Sequence, residues 1–289
     1  MKLKHTAIVA VVLSVLSVGL RTYQILFAIE PVTGFFKSPA TQYGLYGFLI
    51  ASFVLLFLAT RRRSEREKEI AKLPHTNILG FAGIAMGAAL GYDGVMAILN
   101  LDLKANELLW NITAVFCILS GLSFLYIGVR MLSGDTMTRP IRVVWVIPML
   151  WSLLRLIESF IRYTSIANIS AQLFEVLLIV FSSLFLLASG GLVAGIHPAR
   201  NRLKSVRYGL MLFLFGLTAT VPQLIAEYGF SDRLAYTPLL PRVSDVLLCV
   251  YALLFALLVI AAPIVKHDGE ETAAVPDVPE SVSEESASI

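Results

Sequence analysis

Apolar residues run along this chain in long unbroken blocks separated by short polar stretches. The first reads AIVAVVLSVLSVGL from Ala7 to Leu20, and seven more follow. The blocks cover residues 5–29, 43–60, 78–101, 108–132, 141–163, 169–196, 206–227 and 243–265. A helix rises about 1.5 Å per residue, so about 20 residues cross a hydrocarbon core about 30 Å thick. The short alternating segments of a membrane β-barrel are absent from the pattern. It predicts an all-α integral membrane protein with eight transmembrane helices, joined mostly by short connections and so packed as neighbours.

The polar stretches set an orientation. Lys2 and Lys4, the run from Arg61 to Lys72, Arg130, Arg139 and Arg142, the cluster from Arg200 to Arg207, and Lys266 all fall on one side of an eight-span topology. The other side holds only Lys37, Lys104, Arg162, Arg233 and Arg242. Lys and Arg accumulate on the cytoplasmic side of membrane proteins. The expected location is therefore the plasma (inner) membrane, multi-pass, with both termini cytoplasmic. Composition agrees: 57% of residues are hydrophobic and 15% charged, against roughly 25% charged in soluble domains. The first block has the basic start of a signal peptide, but its apolar run continues past Gly19 to Ile29, which favours a retained span.

Two segments lie outside the spans. RRRSEREKEIAKLPH, residues 61–75, mixes charges at helical spacing, as in a solvated linker or a surface helix beside lipid headgroups. Residues 267–289 are acidic and rich in Ser and Pro, the composition of a disordered cytoplasmic tail. Either could meet a cytoplasmic protein partner.

The halves resemble one another. LYGFLIASFVLLFLA (45–59) aligns with LFEVLLIVFSSLFLL (173–187), Gly80 and Gly87 with Gly209 and Gly216, and LRTYQ (20–24) with LRLIE (154–158), all offset by about 130 residues. The expectation is two parallel four-helix repeats, residues 1–134 and 135–266, followed by the tail. Parallel repeats occur in transporters, which place sites at the repeat interface. Gly83, Gly87 and Gly91 recur every four residues in the third span, a spacing that lets helices approach closely. Pro148 and Pro222 are expected to interrupt the fifth and seventh spans.

The candidate chemistry is one-sided. Arg21 and Arg155 are embedded in spans. With Glu30, Asp93, Glu158, Glu175, Glu227 and Asp245, they fall in the outer half of the predicted topology or at its edge. Charge in hydrocarbon is costly and must be offset. Trp151, Arg155, Glu158 and Arg162 share one helical face, as do Ser17, Arg21, Gln24 and Ala28, and Gln172, Glu175 and Ile179. Polar faces turn inward or toward water, because lipid offers no partners. The expected site is thus an outward-facing polar cavity walled by the first, fifth and sixth spans: Arg21, Gln24, Trp151, Arg155, Glu158, Gln172 and Glu175, with Asp93 and Gln223 contributing.

Two functions fit these residues. In one, Arg21 and Arg155 anchor an anionic or zwitterionic solute arriving from the outer side, since a guanidinium fork suits carboxylate and phosphate. The protein then binds or transports a small polar solute. In the other, Arg155 pairs with Glu158 or Glu175, Arg21 pairs with Asp93 or Glu30, and the chain is a membrane scaffold, sensor or accessory subunit. No HExxH, Walker A, Gly-x-Ser-x-Gly or CxxC motif is present. No histidine or lysine lies mid-span to hold a haem or a retinal, so no cofactor and no enzymatic reaction is expected. The basic loops are those the topology requires, so nucleic acid is not an expected partner; membrane lipids are. Cys117 and Cys249, both in apolar runs, read as packing residues.

Overall fold

The computed structural model describes residues 3–29, 36–61, 76–99, 108–134, 139–162, 169–230 and 243–263. Most of the basic segment 61–75, the acidic tail, Glu30 and most of the connection 229–242 lie outside them. Helices form where the apolar blocks predict: α1 (Leu3–Tyr23), α2 (Pro39–Thr60), α3 (Asn77–Leu99), α4 (Leu108–Leu132), α5 (Arg139–Val144), α6 (Val146–Arg162), α7 (Ile169–Val193), α8 (Pro198–Gly229) and α9 (Val243–Ala261). Among the described residues eight spans, counting α5 and α6 as one, are long and apolar enough to cross a membrane. Side-chain contacts between distant helices place Leu3, Thr60 and Arg207 toward one end, here the near end. Arg21, Asp93, Arg155 and Asp245 lie toward the other, the far end.

The boundaries have local causes. Pro39 and Pro198 open α2 and α8, where a missing N–H costs nothing. α7 closes in a Schellman turn: the Ile196 N–H returns to the Gly191 carbonyl, the Gly195 N–H to that of Leu192, and Gly195 sits at φ 76°. The chain then enters α8 directly, so residues 198–205, expected as a loop, are its first two turns. The fifth span is broken as expected, but at Trp145, between α5 and α6. Pro148 has no N–H to give the Val144 carbonyl, so the ladder restarts there. Pro222 does not break α8, which runs through it.

α8 is the central helix and packs against α1, α2, α7 and α9. Aromatic rings fill the space around it. Phe181 and Phe215 stack at 5.0 Å, and Phe185 meets Phe255 edge-on at 5.7 Å. Trp145 is buried, and its indole N–H donates to the Leu186 carbonyl. Several hydroxyls are satisfied within their own helices: Ser14, Ser52, Ser182, Ser189, Thr218 and Thr220 each donate to a carbonyl one turn back. Ser17 and Thr218 also share a hydrogen bond of 2.8 Å, which ties α1 to α8. The helix neighbours do not follow a two-fold plan. α1 packs on α8, yet their counterparts in the other half, α6 and α3, hardly touch.

α3 and α4 form the most extensive pair, and glycine permits it. A Cβ on Gly121 would lie 2.7 Å from the Gly91 backbone nitrogen, and one on Gly87 would lie 2.7 Å from the Gly121 carbonyl. A Cβ on Gly91 itself would meet nothing, although Gly91 belongs to the four-residue spacing. Gly121→Ala should therefore destabilise the protein by about 1–3 kcal/mol through overpacking against backbone. Gly91→Ala should be neutral or slightly stabilising. Unfolding midpoints of the two purified variants in one detergent check this.

Candidate functional site

The far end of α6 carries Arg155, whose side chain turns into the bundle. Its guanidinium forms a two-pronged pair with Asp245 in the first turn of α9, with Nη1 to Oδ1 at 2.5 Å and Nη2 to Oδ2 at 2.8 Å. Both residues are buried. A helix N-terminus favours a carboxylate, so α9 stabilises Asp245 where Arg155 meets it. Trp151, one turn earlier on α6, presents its ring 5.7 Å from the guanidinium carbon. The pairing expected with Glu158 or Glu175 is thereby corrected. The long Arg155 side chain reaches Asp245 at the start of α9 with both prongs of its fork, whereas Glu158 lines the neighbouring cavity and the charge of Glu175 acts on Arg155.

Ser244, the residue before Asp245, donates its hydroxyl to Oδ2 of Asp93 on α3. Two consecutive residues at the start of α9 thus bind two different helices. Beside this junction lies a small cavity of about 20 Å³, lined by Asp93 from α3, Trp110, Thr113 and Cys117 from α4, and Trp151 and Glu158 from α6. Space of that size holds about one water molecule. The Cys117 thiol donates to the Leu90 carbonyl, so the cysteine is a packing residue with a partner.

Arg21 belongs to a second group. Its Nη1 donates to Oε1 of Gln24 at 3.2 Å, and its guanidinium carbon lies 4.6 Å above the Phe174 ring of α7. Gln24 opens the wider turn Gln24–Ala28 that ends the first span, and its amide donates to the Thr41 carbonyl of α2 at 2.5 Å. Arg21 is 3% exposed, yet it has no carboxylate partner among the described residues. Asp93, expected as a partner for Arg21, is engaged by Ser244 instead. Gln172 and Gln223 are only partly buried and make no hydrogen bond among the described residues.

The single chamber expected from the sequence is therefore two clusters on either side of α7. Phe174 faces Arg21, while the charge of Glu175, the next residue, reaches Arg155. Arg21 and Gln24 stay together, as do Asp93, Trp151, Arg155 and Glu158. Sequence reasoning left Asp245, Ser244 and Trp110 out of the site. Asp245 had a signal, since it is an acid in the first turn of a span at the same depth as Arg155. Ser244 and Trp110 look in sequence like any interfacial residues.

The pair makes a stability prediction. Removing one partner of a buried ion pair leaves an unmatched charge and costs about 3–5 kcal/mol, whereas an apolar replacement of both is often close to neutral. Asp245→Ala should therefore destabilise strongly, and Arg155→Met combined with Asp245→Leu should recover most of the loss. Chemical unfolding of the single and double variants in micelles measures the coupling.

The chain matches no protein-family model, no curated protein and no solved structure.

Proposed function

We propose that this is a multi-pass membrane protein that binds a small solute bearing an ammonium group, a zwitterion or an amine, through the cluster at its far end. The observation that carries the reading is that Asp93 and Glu158, from α3 and α6, line one cavity with the indoles of Trp110 and Trp151. Carboxylates flanked by aromatic faces suit a cation. Arg155 is already matched by Asp245, so it does not cancel the charge of these acids. A cavity of about 20 Å³ admits a group about the size of water, such as a primary ammonium. The rest of the solute would lie toward the far-end surface. The excess of Lys and Arg in the near-end loops supports a cytoplasmic near end and a far end that receives solute from outside.

A second reading, an accessory or scaffold protein whose intramembrane charges are structural, is favoured by one observation. The Arg155–Asp245 fork is closed and buried. The two readings part at Glu158. Under the first, a panel of amines and amino acids screened by thermal shift on the reconstituted protein yields a stabilising ligand. Its affinity then falls tenfold or more in Glu158→Gln and Asp93→Asn, a loss of about 1.4 kcal/mol or more. If no compound in the panel shifts the midpoint, or if both variants bind as tightly as the parent, the structural reading stands.

A further inference from the structure

A cleft of about 430 Å³ opens between α2 and α7, within the usual size of small-molecule sites, about 300–1,000 Å³. α2 leans on α1 and α8 but scarcely touches α7, so the gap is bridged by side chains alone. Its walls are Tyr46, Leu49 and Phe53 on one side and Phe174, Leu177 and Phe181 on the other. At depth it is closed by the rings of Phe53, Phe181 and Phe215, in mutual contact at 5.0–6.3 Å. From Leu173 to Phe181 the wall runs about 12 Å along the helix, close to the half-thickness of a bilayer core about 30 Å across. The cleft therefore has the reach of one leaflet.

The mouth of this apolar cleft carries a cation. Phe174, which lines the cleft, has Arg21 over its ring at 4.6 Å, and the Tyr46 ring of the opposite wall lies 6.3 Å from that of Phe174. Of the Arg21 donors, Nη1 goes to Gln24. Nε and Nη2 have no hydrogen-bond partner among the described residues, and neither is sealed from the surface. Lys37, exposed just before α2, adds positive charge at the same end. No carboxylate lines the cleft among the described residues. A buried guanidinium without a counter-ion is an unstable arrangement unless an anion completes it, and phosphate is the anion that its fork fits.

We propose that the α2–α7 cleft seats an acyl chain of an anionic phospholipid from the far-end leaflet, with the lipid phosphate held by Nε and Nη2 of Arg21. The chain fills the space between Leu49 and Leu177 and stops at the ring cluster of Phe53, Phe181 and Phe215. The headgroup supplies the negative charge that the described residues leave out. This site is separate from the acidic cavity at α3, α4 and α6 and does not depend on its ligand.

Native mass spectrometry of the full-length protein, incubated with equimolar phosphatidylglycerol and phosphatidylcholine of identical chains, tests the site. The parent protein should retain one phosphatidylglycerol with at least a tenfold preference. Arg21→Gln should bind the two lipids equally, and Arg21→Lys should keep a reduced preference. Leu177→Trp, which fills the cleft and leaves Arg21 in place, should lose retained lipid of both kinds. Glycerol phosphate should not raise the unfolding midpoint of the parent, because the chain is part of the ligand. Equal retention of both lipids by the parent overturns the proposal. So does an undiminished preference in folded Arg21→Gln, or full retention in folded Leu177→Trp.

Discussion

The far end of the bundle depends on the fork between Arg155 and Asp245. A guanidinium and a carboxylate buried among apolar helices are each costly alone, and each is tolerable only in the presence of the other. The pair therefore fixes where α6 and α9 stand relative to each other. Ser244 extends the constraint to α3 through Asp93, and α3 carries it to α4 through the glycine contact. Four helices are thereby held around the small acidic cavity, with Trp151 and Trp110 on its wall. The geometry of that cavity is a consequence of the pair beside it.

Elsewhere the bundle is held by shape and by local satisfaction of polar atoms. Many serine and threonine hydroxyls bond back to their own helices, so these small polar residues face the core without needing a partner on another helix. α8 supplies the axis, and the phenylalanines around it supply the volume. At the near end Arg207 ties α8 to α2: it donates to the hydroxyl and carbonyl of Thr60 and lies over Phe57 at 4.6 Å. α2 is thus anchored to α8 at its last residue and to the first span at the far end through Gln24 and Thr41. Between those anchors it stands away from α7, which leaves the cleft open.

The two embedded arginines show how like sequence positions acquire unlike roles. Arg21 and Arg155 each follow a leucine in the like segments LRTYQ and LRLIE. In the fold, Arg155 finds an acid on α9, whereas Arg21 finds an amide and an aromatic face. The difference follows from neighbours. α6 lies against α4 and α7, with Arg155 reaching past them to the start of α9, while α1 lies against α8 and α2 and Arg21 meets Gln24 and Phe174. The positions match along the chain and diverge in their surroundings.

Span number, span length and the one-sided distribution of charge were legible in the sequence, because hydrophobic length and helical period are properties of single segments. The break near Pro148 and the capacity of the third span for close packing were legible for the same reason, since a missing N–H and a missing Cβ act locally. The partner of Arg155, the lack of a carboxylate for Arg21 among the described residues, the separation of the polar residues by α7 and the opening between α2 and α7 were decided only by tertiary structure. Each depends on the rotation of one helix about its axis relative to another many residues away. The apolar surface of a membrane helix is nearly uniform around its circumference and carries little information about that rotation.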